Sequence, residues 1–150
     1  MIIERCTVEH VEDWVRLRQA LWPEETTEEE HRRYAISTID RPKDAIAYVA
    51  RGNDGNAVAF AEATLRKDYV NGCSTAPVGF LEGLYVEPAY RGRGLARLLR
   101  KALEEWAIGL GCTEFASDVL LHNEAGQRAH EALGYTETER VVFYAKWLAR

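Results

Sequence analysis

Phe80-Leu81-Glu82-Gly83-Leu84-Tyr85-Val86-Glu87-Pro88-Ala89-Tyr90-Arg91-Gly92-Arg93-Gly94-Leu95-Ala96 is the stretch whose reading decides the fold. Phe80 to Val86 is an apolar, β-favouring run interrupted only by Glu82 and Gly83. Pro88 cannot donate to a central ladder, so the strand ends before it. Beyond it, Leu95, Leu98, Leu99, Ala102, Leu103, Trp106, Ala107 and Leu110 recur at helical spacing on one face. The segment therefore reads strand, glycine-rich turn, long helix. Gly92 and Gly94 let backbone N–H groups approach an anion at the helix N-terminus, where the helix dipole favours negative charge. Arg91 and Arg93 add charge-assisted bonds of the kind phosphate takes. Inside the strand, Gly83 marks a bulge or a close backbone approach, next to a carboxylate.

Working outward from that centre, Ile2 to Cys6 reads as an edge or near-edge strand. Thr7 is a candidate N-cap, and Val11, Trp14, Val15 and Leu21 line one side of the helix that follows. Pro23 marks its exit, and Trp22-Pro23-Glu24-Glu25 is a loop with a large aromatic at its mouth. Thr27 and Glu30 form a capping-box pattern opening a second, short helix. Ala45 to Arg51 and Ala57 to Arg66 are strand-like and joined across Asn53-Asp54-Gly55-Asn56, a hairpin signal. Lys67 to Pro77 is a polar loop. After the long helix, closed by Gly109 and Gly111, Glu114 to Leu121 reads as a strand and Asn123 to Leu133 as a short helix stopped by Gly134. Tyr135 to Trp147 reads as a final strand or two short ones. The order β-α-α-β-β-β-α-β-α-β predicts an α/β (α+β) mixed sheet with helices on both faces.

At 150 residues, with 47% hydrophobic and 29% charged residues, the chain is one domain of soluble composition, 1–150. No apolar run is long enough to cross a membrane, and no signal peptide is evident. Cys6, Cys73 and Cys112 are too scattered for a disulfide framework or a metal pattern, and three free thiols suit a reducing cytoplasm. The net charge of -5 argues against nucleic acid and suits a cationic small molecule, although the same charge serves solubility alone.

Arg91-Gly92-Arg93-Gly94-Leu95-Ala96 matches the Arg/Gln-x-x-Gly-x-Gly/Ala signature and so resembles the GCN5-related N-acetyltransferase (GNAT) superfamily. Trp22-Pro23, the 68–73 loop, Phe80 to Val86, Ala116-Ser117-Asp118 and Glu137 to Tyr144, taken in this order over nearly the whole chain, resemble the aminoglycoside 6'-N-acetyltransferases. The resemblance implies a GNAT fold: a central, mostly antiparallel sheet flanked by helices. It implies acetyl-CoA as cosubstrate and no metal. The turn Arg91, Gly92, Arg93, Gly94, Leu95, Ala96 and Arg97 would hold the pyrophosphate. The strand at Leu84, Tyr85 and Val86 would splay from its neighbour and take the pantetheine arm along its edge. By the same matching, Trp22, Tyr69, Glu82, Asp118 and Glu139 would contact a polycationic aminoglycoside, the rings by cation–π attraction and the carboxylates by ion pairing.

Glu82 leads the catalytic candidates, as a group that orients the amine and accepts its proton; as a strand residue it also suits a solvent-facing role or an ion pair. Asp118 and His130 are the other two. Many superfamily members carry a tyrosine acid seven residues after an asparagine; here Asn123 is present and that position is His130. His130 would donate to the leaving thiolate or serve structure, and Asn123 would contact cofactor or cap its helix. Cys73 and Cys112 raise a covalent acyl-enzyme, but neither has a histidine nearby in sequence, and direct attack in a ternary complex is favoured. The expected function is 6'-N-acetylation of aminoglycosides, a resistance activity. The alternatives are the same chemistry on another small amine, polyamine or peptide N-terminus, or a non-catalytic CoA-binding module. The family also implies a homodimer, with Val141, Val142, Phe143, Tyr144 and Trp147 near the interface.

Overall fold

The computed structural model describes residues 2–24 and 26–149. Met1, Arg150 and Glu25, the last a member of the expected loop Trp22-Pro23-Glu24-Glu25, lie outside the described residues. The chain divides into two compact units between Asp118 and Val119.

The first unit holds strands β1 (Ile2–Arg5), β2 (Ala45–Arg51), β3 (Ala57–Arg66), β4 (Val78–Val86) and β5 (Phe115–Ala116) in one sheet of that spatial order. β1 to β4 are antiparallel neighbours, and β5 runs parallel to β4. Helices α1 (Val11–Leu21) and α2 (Glu28–Ile39) cover one face and α3 (Leu95–Gly109) the other. The strand pattern explains this two-sided burial. In β2, Ile46 and Ala50 turn to α3, while Ala47 and Val49 turn to Trp14, Val15 and Leu17 of α1. β3 meets α3 through Ala59, Ala61 and Ala63, small side chains that let Leu95, Leu99 and Leu103 seat fully. Burying each of those leucines contributes about 1.5–3 kcal/mol.

The helix starts follow their local chemistry. Glu30 N donates to Thr27 Oγ1 at 3.1 Å and Thr27 N donates to Glu30 Oε2 at 3.3 Å, so the capping box opens α2 as read. Thr7 instead precedes a single 3-10 turn, Val8–His10, that runs into α1. At the other helix start, Gly94 stands as N-cap of α3 with a φ of 82°.

Two sequence expectations are corrected in length or kind. The strand expected over Glu114 to Leu121 pairs for only two residues, Phe115 with Gly79 and Ala116 with Phe80. Asp118 therefore lies past the strand end, exposed to solvent. In the second unit, α4 (Glu124–Ala132) is capped by Asn123, whose side chain accepts from Gly126 N at 2.9 Å. The strand expected over Tyr135 to Trp147 is not formed: residues 135–149 carry no regular structure. Strand pairing needs a partner edge, and the second unit offers none among its described residues. With it goes the shared strand face expected for Glu137 and Glu139; Glu137 instead pairs with Arg140 at 2.7 Å.

Candidate active site

β4 carries a bulge, and Glu82 is the extra residue. Glu62 of β3 faces Gly83 and Ala63 faces Leu81, which leaves Glu82 without an opposite number. Side-chain parity confirms it. Leu81, Leu84 and Val86 all pack toward α3, although an unbroken strand alternates odd from even. Gly83 is required by packing. A Cβ there would lie 2.5 Å from Cη2 and 3.1 Å from Cζ2 of Trp22, so the indole rests directly on the strand backbone.

Trp22 is held from other sides as well. Its ring stacks on His31 with centroids 6.4 Å apart and planes 16° apart, meets Phe60 edge-on, and lies under the Arg18 guanidinium at 4.8 Å. Arg18 is itself buried. It donates from Nη1 to Glu62, donates from Nε to His31 Nδ1 at 3.0 Å, and covers the Tyr34 ring at 4.1 Å. Trp14 Nε1 donates to the other oxygen of Glu62 at 2.9 Å. Burial pushes the Glu62 carboxyl up, and the Arg18 guanidinium and Trp14 indole pull it back. Burial and the Arg18 charge hold His31 below the ordinary imidazole range, so it is neutral at pH 7. Burial also pushes the Tyr34 phenol up, with the charges of Glu62 and Glu82 adding to the effect.

Glu82 itself is partly exposed and satisfied by two neighbours on β3. Thr64 Oγ1 donates to Oε2 at 2.9 Å, and Arg66 Nη2 lies 3.1 and 2.9 Å from the two carboxylate oxygens. Beyond Phe80, β4 has no strand partner on the β5 side among the described residues, so Leu84, Tyr85 and Val86 present a free backbone edge there. That edge runs into the glycine turn. Gly92 and Gly94 have φ of 77° and 82°, and a Cβ on either would meet nothing within 4 Å. The first N–H groups of α3 carry no side-chain cap. Arg91 donates from Nε to Val86 O at 2.8 Å, which ties the turn to the strand end, and Arg93 lies over Tyr90 at 5.2 Å. Leu95 is buried, whereas Arg91, Arg93 and Arg97 are exposed.

The first unit thus brings together the bulge carboxylate, the Trp22 ring, the free strand edge and the glycine turn. The family model of acetyltransferases, described as the Acetyltransferase (GNAT) family, matches residues 11–135. The chain belongs to the GNAT acetyltransferase family. Among similar GNAT proteins, the aminoglycoside N(6')-acetyltransferase type 1 of Serratia marcescens is 48% identical over 95% of this chain and 97% of that one. That of Salmonella enteritidis is 42% identical over 97% and 99%. The crystal structure of an aminoglycoside antibiotic 6'-N-acetyltransferase from Acinetobacter haemolyticus superposes with a TM-score of 0.94 at 40% identity, covering 99% of this chain and 100% of that one. A 6'-acetyltransferase solved with a bisubstrate analogue, CoA-S-monomethyl-acetylneamine, has a TM-score of 0.91 at 39% identity over 98% of both chains.

The remaining expected site residues of this GNAT chain fall as follows. Tyr69 is exposed in the loop after β3 and lines a cavity of about 500 Å³ with Arg41, Asp44, Leu65, Arg66, Lys67 and Asp68. Asp118 follows β5, the strand beside β4. In the second unit, Glu139 is exposed, and His130 Nδ1 lies 2.7 Å from Gly126 O, with its ring 5.7 Å from that of Tyr135. That carbonyl contact gives His130 a structural partner, as the cap does for Asn123. Sequence reasoning missed Arg18, Tyr34, Thr64 and Arg66. The available signal was Glu62, a lone charge in the apolar run Ala57 to Leu65, which a buried cation must answer.

Proposed function

We propose that the protein transfers the acetyl group of acetyl-CoA to the 6'-amino group of aminoglycosides, by direct attack within a ternary complex. The observation that carries this reading is the bulge, which puts Glu82 on β4 just past the point where β5 stops pairing and next to the glycine that Trp22 covers. The names of the relatives, and the bisubstrate analogue bound to one of them, support the acceptor class.

The glycine turn suits a pyrophosphate: open space above Gly92 and Gly94, uncapped N–H groups, and cationic Arg91, Arg93 and Arg97. Leu84, Tyr85 and Val86 would hold the pantetheine arm by backbone bonds and offer an N–H to the carbonyl oxygen. Bound acetyl-CoA supplies a thioester activated toward amines. An alkylammonium has a pKa of about 10, so the acceptor arrives protonated and must lose a proton. Glu82 would orient that ammonium and take the proton directly or through water. Trp22 and Tyr69 would meet sugar rings, and Asp118 and Glu139 further ammonium groups. His130 and Asn123 are proposed at the leaving-thiolate side, subordinate to their structural contacts.

A thiol relay is disfavoured. Burial pushes the Cys6, Cys73 and Cys112 thiols up, so little thiolate is present at neutral pH. We read the whole chain as one acetyltransferase domain in the cytoplasm, acting as a homodimer. The family match runs across the boundary between the two units, and no helix among the described residues is long and apolar enough to cross a membrane. Mass analysis of kanamycin and of its 6'-hydroxyl analogue after incubation with acetyl-CoA tests the function. One acetyl group is expected on the first and none at the 6' position of the second; equal acetylation of both would remove the 6' assignment.

A further inference from the structure

The amine's proposed anchor is already paired within the protein. A carboxylate offers about four lone-pair sites, and Thr64 and Arg66 engage Glu82 through three contacts. Arg66 is braced for this position, with its guanidinium carbon 3.8 Å above the Phe80 ring. It is not locked there, because its side chain is 46% exposed. It also borders a second environment, the cavity of about 500 Å³ that holds Asp44 and Asp68. Asp44 pairs with Lys67 at 3.2 Å, whereas Asp68 makes no ion pair among the described residues.

We infer that Arg66 is an acceptor-site residue that occupies the amine's place on Glu82 in the free enzyme and swings toward Asp68 when an acceptor binds. The inference deepens the acceptor-site reading and rests on it. Binding is then an exchange of one cation for another at Glu82. An acceptor with a single ammonium group gains one ion pair and breaks one. A polycation breaks the same pair and forms others with the further carboxylates proposed for the acceptor. Arg66 thereby adds the same cost to every acceptor, which a polycation offsets through its further pairs and a monoamine does not.

Calorimetric titration with coenzyme A present tests this, using methyl 6-amino-6-deoxyglucoside as the single-ammonium probe and kanamycin as the polycation. Arg66→Gln is expected to tighten the monoamine about tenfold, the worth of one charge-assisted bond, and kanamycin by a similar factor. Arg66→Lys keeps a cation in place and should leave both affinities near wild type. Damage to the site weakens binding and does not tighten it, so a tighter monoamine is not produced by a structural role. Unchanged or weaker monoamine binding in Arg66→Gln overturns the inference. Glu82→Gln separates the two levels. If it weakens both acceptors while Arg66→Gln fails to tighten the monoamine, only the exchange is lost. If it leaves both affinities and kanamycin turnover unchanged, the acceptor-site reading fails and takes the exchange with it.

Discussion

At the scale of single residues, Gly83 and His31 are decisive because each fixes Trp22. A methyl group at residue 83 would overlap the indole, with a nearest approach of 2.5 Å. Gly83→Ala should therefore push Trp22 off the strand and cost about 1–3 kcal/mol of stability, as overpacking does. Steady-state kinetics should show a raised KM for the aminoglycoside with the KM for acetyl-CoA little changed, since the glycine turn is untouched. An acceptor KM equal to wild type would separate Trp22 from acceptor binding.

His31 makes stability depend on pH. Its folded pKa is depressed by burial and by Arg18, so the unfolded chain binds a proton near pH 6.5 while the folded protein does not until lower pH. Unfolding takes up a proton in that interval. The contribution is complete above about pH 6.5 and declines as pH falls toward the folded value. His31→Asn keeps an acceptor for Arg18 Nε and removes the titration. Thermal melts from pH 7.5 to 5 should show a shallower loss of Tm in the variant; parallel curves would assign the acid sensitivity to other groups.

Elements show what was readable in the sequence and what was not. β2, β3, the start of α2 and the buried stripe of α3 follow from local signals: apolar β-favouring runs either side of a hairpin turn, a capping box and 3.6-residue spacing. The bulge was signalled by Glu82-Gly83 because an interior glycine beside a charge is a local mark too. The short β5 was not legible. Its length is set by how far β4 stays alongside it, a property of two segments far apart in sequence. The Arg66–Glu82 pair was hidden for the same reason. It depends on the β3–β4 register, and a bulge in that register changes which residues become neighbours. The segment 135–149 reads as a strand by composition and has no partner edge within the described part of its unit.

For the whole molecule, that last segment bears on the proposed homodimer. Phe143 is 83% and Trp147 98% exposed, and Val142, Tyr144 and Leu148 are also open to solvent. A run this apolar is a surface expected to be covered. With a second copy as the proposed partner, light scattering across micromolar concentrations should return twice the 17.0 kDa of one chain. Phe143→Asp with Trp147→Asp should halve that mass. A wild-type protein that stays at one chain's mass would leave the apolar run without this explanation.

The extra residue in β4 has a consequence for heredity. Leu84 and Val86 reach the α3 face because Glu82 stands outside the ladder's alternation. Loss of the Glu82 codon would straighten the ladder and keep Leu84 and Val86 opposite Ala61 and Ala59 on the α3 face, so it would spare the leucine layer and remove the carboxylate, whereas a codon lost elsewhere in the strand would turn one flank of it over. Insertions and deletions in a lineage of such enzymes should therefore accumulate in segments such as Lys67 to Pro77 and spare the count of residues from Val78 to Val86.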